Sequence, residues 1–163
     1  MPESERIQST RGISDASEVL STLKKLEKVE WIISEKNDVS DSGWEMLSKS
    51  TSLRELRVRI GEGCKFLDEG LQSLSKVTFN IPLEYLHFEL SEGNETSDRG
   101  WGSFLSSINP KKLQNFKLGI GLDNEYSDKS LESLAETLVK SVNLEYFTLH
   151  LQGTNSLNSS SFQ

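Results

Sequence analysis

The stretch LEYLHFELSEGNETSDRGWGSF, residues 83–104, holds the pattern on which the whole fold rests. Leu86, Phe88 and Leu90 alternate with Tyr85, His87 and Glu89, the period-two signature of a strand with one buried face. Ser97-Asp98 then offers an N-cap and an acidic first turn. Trp101 and Phe104 follow three residues apart, the spacing of a helical stripe. Asn94 stands in the loop between them. The segment predicts a strand, a loop of about six residues and a helix of about ten, with a short return to the next strand.

On either side of this stretch the same unit recurs. Leu26, Leu53, Leu83, Leu113 and Leu144 are separated by 27, 30, 30 and 31 residues. Three residues on come Val29, Leu56, Leu86, Phe116 and Phe147; five on, Trp31, Val58, Phe88, Leu118 and Leu149; seven on, Ile33, Ile60, Leu90, Ile120 and Leu151. Past the strand, Asn37, Cys64, Asn94, Asn124 and Asn155 share one column. Ser40-Asp41, Leu67-Asp68, Ser97-Asp98 and Ser127-Asp128 share the next, and Trp44, Leu71, Trp101, Leu131 and Phe162 open the helical stripe. Ahead of Leu26, the segment from Ile13 repeats the helix half alone, with Ser14-Asp15 at its start. The domain is therefore expected over residues 13–163, behind a polar segment 1–12, as about five strand–helix repeats with the last one cut short.

The pattern L-x-x-L-x-L-x-L, then Asn, then D-x-G-x-x-x-L resembles the leucine-rich repeat of ribonuclease-inhibitor type. The late Asn and the extra apolar strand residue are similar to repeats common in ciliate protists. The resemblance implies an α/β solenoid with parallel strands on a concave face and helices on a convex face. Cys64 replaces Asn in one row, a change familiar in that family because a thiol can also bond a neighbouring backbone group. The resemblance implies no activity, since such a fold presents a surface and the surface selects the partner.

Composition narrows the function further. The chain has 163 residues, and 23 Leu and 26 Ser dominate it, as a repeat built on one apolar residue would require. Net charge is −7, which argues against free-standing nucleic-acid binding through phosphates. No apolar run reaches the ~18 residues of a membrane span. Met1 to Arg11 carries no apolar segment of a secretory signal, so the expected compartment is cytoplasmic, with a cytoskeletal or ciliary assembly as its suggested setting. One Cys and two His furnish neither a disulfide nor an all-Cys/His zinc site, so no metal and no cofactor are expected.

Each chemistry-bearing column has a structural reading. The Asp column reads as N-caps, and the Asn column as side-chain amides that satisfy turn carbonyls. Cys64 reads as a buried structural thiol. Gly119-Ile120-Gly121 lacks the third Gly of a dinucleotide fingerprint, and no nucleophile elbow, phosphate loop or H-E-x-x-H motif occurs. Asn94-Glu95-Thr96 and Asn158-Ser159-Ser160 match a glycosylation pattern that has no secretory context here. No catalytic residue is expected.

The outward strand positions are the functional candidates. They carry four cations against three carboxylates in a chain of net charge −7, so the acidic surplus lies elsewhere. Arg57, Arg59, Tyr85, His87, Lys117, Tyr146 and His150 are residue types enriched at protein interfaces, and they form the expected partner-binding surface. Strand Leu144–Leu151 is expected to be an open edge with Phe147, Leu149 and Leu151 covered on one side only, a site for assembly with another chain. The expected function is non-catalytic protein binding or scaffolding within a larger assembly. The alternative is a regulatory repeat domain of a longer enzyme such as a protein kinase.

Overall fold

The computed structural model describes residues 10–39 and 43–152, the side chains of residues 10–14 excepted. Five strands run in chain order: β1 (Lys28–Ile33), β2 (Glu55–Ile60), β3 (Tyr85–Leu90), β4 (Asn115–Ile120) and β5 (Tyr146–Leu151). They form one parallel sheet in the order β1-β2-β3-β4-β5, so each strand pairs with the strand of the next repeat. Helices α1 (Thr10–Thr22), α2 (Asp68–Asn80), α3 (Asp98–Ser107) and α4 (Asp128–Lys140) cover one face, with a 3-10 helix (Gly43–Lys49) between α1 and α2. The architecture is α/β with a parallel sheet.

Register explains why the columns align. Leu56 opposes Leu86 and Val58 opposes Phe88; Leu86 opposes Phe116 and Phe88 opposes Leu118. These inward residues are buried together with Leu71, Leu74 and Val77 of α2 and Trp101, Phe104 and Leu105 of α3. Each such side chain is worth about 1.5–3 kcal/mol when taken out of water. Trp31, Trp44, Phe66, Phe88, Trp101 and Tyr126 form a chain of edge-on and tilted ring contacts through this core, with centroids 5.5–6.2 Å apart. Ring pairs in those geometries add to the burial itself.

The loop columns lock one repeat to the next. Asn94 Nδ2 donates to the carbonyls of Gly61 in the preceding repeat (3.1 Å) and of Ser91 in its own (2.9 Å), while its Oδ1 accepts from the Phe66 amide (3.2 Å). Asn124 repeats this on Ser91 (3.0 Å) and Gly121 (3.2 Å). Cys64 Sγ donates to Ser34 carbonyl at 3.0 Å, the same inter-repeat position, and burial pushes its thiol pKa up. The residue just before the Asn column has a left-handed backbone in each turn: Lys36, Gly63, Gly93 and Asp123. The chain must reverse sharply there, and only Gly63 and Gly93 do so without a side chain to accommodate.

Three local expectations are corrected. The first full repeat carries a 3-10 helix in place of the α-helix of about ten residues. Its spacing is 27 residues where the others have 30 or 31, and seven 3-10 residues rise about 14 Å, close to the ~15 Å of a ten-residue α-helix. The tighter helix spans the same layer with fewer residues. Second, α1 begins at Thr10, inside the segment expected to be polar tail, and ends at Thr22.

Third, Asp68 and Asp98 reach across to the next repeat where caps of their own helices were expected. Ser97 and Ser127 cap α3 and α4, accepting from Gly100 N–H (3.5 Å) and Lys129 N–H (3.3 Å). Asp68 instead accepts from Ser97 N–H (2.8 Å) and Ser97 Oγ of the next repeat. Asp98 likewise accepts from Ser127 N–H (2.8 Å), Ser127 Oγ and Ser130 Oγ. The Gly of D-x-G follows from this bridge, because a Cβ on Gly100 would collide with the Asp68 carboxylate. Ser130 stands at that position in the next repeat, and its hydroxyl bonds the carboxylate. Ser40-Asp41, Asn155, Asn158, Leu157 and Phe162 lie outside the described residues.

Candidate functional site

The uncovered face of the sheet presents three lateral rows, one residue from each strand. The first is Lys28, Glu55, Tyr85, Asn115 and Tyr146; the second Glu30, Arg57, His87, Lys117 and Thr148; the third Ile32, Arg59, Glu89, Gly119 and His150. Parallel pairing in full register brings these side chains together from positions about 30 residues apart. Because every strand carries its inward residues into the core, the outward ones stand on a fixed frame.

On the β2–β3 half the expected residues are engaged with one another. Glu55 accepts from Arg57 Nε (2.5 Å) and lies 3.3 Å from Lys28 Nζ. Arg57 is thereby held over the Tyr85 ring, its guanidinium carbon 4.6 Å from the ring centroid. Arg59 Nε donates to Glu89 Oε2 at 3.2 Å. Glu55 and Glu89, which orient the two arginines, are absent from the site residues expected on sequence grounds. The signal is in the sequence, one column away in the same strand for Glu55 and one repeat on for Glu89.

On the β4–β5 half the large residues are less constrained. Lys117 is half-buried, His150 is exposed, and Tyr146 keeps 67% exposure. Gly119 leaves a notch of about 70 Å³ between Glu89 and His150. On the inward side of β5, Phe147 is 38% exposed, and Leu149 and Leu151 are half-buried.

His87 departs from the expectation. Alternation places it among the surface contacts, yet it is only 8% exposed, flanked in register by the longer side chains of Arg57 and Lys117. Its Nε2 lies 3.4 Å from Glu89 Oε2 without a well-aligned hydrogen bond. Burial first, and then the Lys117 ammonium, hold its pKa below the usual histidine value despite Glu89. His87 is part of the floor of this face.

Among the described residues no group of three His, Cys, Asp or Glu side chains is arranged to hold a metal ion. No described helix is long and apolar enough to cross a membrane. Cys64 is buried, and burial raises its pKa, the opposite of what a nucleophile needs. What the arrangement offers is directional recognition by aromatic, guanidinium, ammonium and imidazole groups. No family model and no curated protein matches the sequence.

Proposed function

We propose that the chain is a leucine-rich-repeat solenoid of ribonuclease-inhibitor type, acting as a non-catalytic module that binds a protein partner through the concave face of its sheet. The parallel strands in chain order and the Asn and Cys bridges between successive turns support the repeat reading. One observation carries the functional reading. Arg57, fixed by Glu55 and stacked on Tyr85, is already ordered on the sheet face, so little of its side-chain entropy is lost when a partner arrives, and Tyr146 stands exposed on the same face. Arg59, Lys117 and His150 flank them, and His87 supports them from below. Arginine and tyrosine are the residue types that most often dominate binding energy.

The test is affinity capture with the tagged protein, identification by mass spectrometry, and titration of the captured partner against Arg57→Ala, Tyr85→Ala and Tyr146→Ala. At least one variant should weaken binding by about 1–2 kcal/mol or more. Unchanged affinity in all three would place the contact elsewhere.

The second reading, a regulatory repeat domain within a longer enzyme, draws on the far edge of the sheet. Phe147, Leu149 and Leu151 occupy columns that are fully buried in the interior repeats, so a further repeat or another chain would complete their burial. The far edge of β5, unpaired among the described residues, then serves assembly. Transcript sequencing beyond Gln163 separates the two readings: a reading frame that continues into a catalytic domain favours the second.

A further inference from the structure

Parallel strands in chain order place every strand start, and with it every helix end, along one side of the molecule. The returns on that side are tied to one another. Ser52 Oγ donates to Leu26 carbonyl (2.7 Å), Glu84 N–H to Arg54 carbonyl (2.8 Å), Asn109 N–H to Thr78 carbonyl (2.9 Å) and Asn143 Nδ2 to Lys111 carbonyl (2.8 Å). They form a continuous rim, and two kinds of side chain stand out from it. The first is apolar. Leu23, just past α1, is 46% exposed; Phe79, in the last turn of α2, 67%; Val139 and Val142, at the end of α4, 82% and 85%. Apolar groups left in water to that extent favour contact with an apolar phase.

The second kind is cationic. The returns (23–27, 49–54, 79–84, 108–114 and 139–145) carry seven cations against three carboxylates in a chain of net charge −7. The turns on the opposite side (34–39, 61–67, 91–97 and 121–127) carry two lysines against seven carboxylates. Arg54 is held by Glu84 (2.6 Å) and Glu27 (3.6 Å), which engages two of the three rim carboxylates. Lys24, Lys25, Lys49, Lys111 and Lys112 are exposed and have no ion pair among the described residues. A basic residue in a last helical turn suits the helix dipole, which accounts for Lys49 and Lys140. The pairs Lys24-Lys25 and Lys111-Lys112 lie past the helix ends, and dipoles do not explain them.

We propose that this rim rests on the surface of a membrane containing anionic lipid. Leu23, Phe79, Val139 and Val142 enter the boundary between headgroups and acyl chains, and the five lysines stay in the headgroup layer. The side-chain types select this partner. Lysine is a strongly hydrated point charge that suits a diffuse anionic layer, whereas an acidic protein is best met by the planar fork of arginine, and the one rim arginine is already held. A nucleic acid meets the same charge, but Leu and Val offer its bases no stacking face. The rim is separate from the sheet face, so failure of this contact leaves the protein-binding reading untouched.

The experiment is co-sedimentation of the full chain with vesicles of phosphatidylcholine, alone or with about 30% phosphatidylserine, at pH 7 and ~0.15 M salt. Binding to the anionic vesicles should be half-maximal at or below about 1 mM lipid, and at least about tenfold weaker on the neutral ones. Lys24→Gln with Lys25→Gln, and Lys111→Gln with Lys112→Gln, should each weaken it about tenfold. Phe79→Ser and Val142→Ser should each weaken it about threefold or more. All six side chains are exposed, so thermal unfolding of these variants should match the parent. Glu92→Gln with Glu95→Gln, an equal change of charge on the opposite side, should alter binding less than about twofold, because about 20 Å of strand exceeds the ~8 Å Debye length. The proposal is overturned if neither vesicle binds by about 5 mM lipid, if neutral vesicles bind as well as anionic ones, or if the lysine pairs bind as the parent does. It is also overturned if Phe79→Ser and Val142→Ser change nothing while duplex DNA displaces the vesicles, the mark of a charge-only polyanion surface.

Discussion

At β1 the inward residues Val29, Trp31 and Ile33 are almost wholly buried, whereas at β5 the equivalent Phe147 is 38% exposed and Leu149 and Leu151 are half-buried. Both strands lie at an edge of the same sheet and carry the same column pattern. The difference is the neighbour in the helical layer. α1 precedes β1, packs on the 3-10 helix and brings Ala16 and Leu20 against the core. Beyond β5 no described element plays that part. A repeat's apolar column is thus only half a core, and its burial depends on the elements at each side. Edge chemistry follows the same division. β1 carries Lys28 and Glu30, which discourage strand addition, while β5 reads Tyr-Phe-Thr-Leu-His-Leu with no Lys, Arg, Asp, Glu or Pro.

The largest effect that tests this contrast is mutational. Trp31→Ala should destabilise the chain by about 3–5 kcal/mol, as buried Trp truncations do. Phe147→Ala should cost less than about half of that, because part of the side chain is already in water. Urea denaturation of both variants decides it, and equal losses would mean that β5 is covered in solution as well as β1 is.

A smaller effect concerns opening of the strands. Backbone amides of β5 should exchange with solvent at least about tenfold faster than those of β3, the strand flanked by partners on both sides. Equal protection of residues 146–151 and 85–90 by hydrogen-exchange NMR would erase the distinction between edge and centre.

The smallest effect is a pH dependence in the middle of the sheet, where the ends should not matter. His87 has a lowered pKa in the fold, held down first by burial and then by Lys117 and Arg59, and opposed by Glu89. Above pH 6.5, the unfolded value, the imidazole is neutral in both states and its contribution to stability is complete. As pH falls below 6.5 the unfolded chain takes the proton first, so stability falls until the lowered folded pKa is passed. Asp98 behaves likewise at more acid pH. Burial alone would raise its pKa, but the hydrogen bonds from Ser127 and Ser130 outweigh burial and hold it low, so its stabilisation is lost as pH falls below 3.8. His87→Gln should flatten the first slope and Asp98→Asn the second, and the slopes persisting in those variants would assign them to other groups.

The five strands are legible in the sequence because the inward columns recur at nearly constant spacing, and period-two alternation has no competing reading over six residues. The Asn column is legible for a similar reason, since a side-chain amide can serve turn carbonyls wherever the turn repeats. The Asp column misleads. Asp at a helix start caps in most local contexts, and only the position of the next repeat shows that Asp68 and Asp98 reach across to Ser97 and Ser127. The burial of His87 is hidden for the same reason: alternation assigns a side chain to a face, but its depth depends on Arg57 and Lys117 in the neighbouring strands.

Repeat length, the order of strand, turn and helix, and the identity of the inward residues were all present in the amino-acid sequence, because they follow from local periodicity and backbone chemistry. Contacts across about 30 residues were settled only in the folded chain. Folding stacked Arg57 on Tyr85, bound Arg59 to Glu89 and lowered His87 into the floor of the sheet. The reason is physical: hydrogen bonds, ion pairs and burial act over a few ångströms of space, and only folding brings the stacked turns that close.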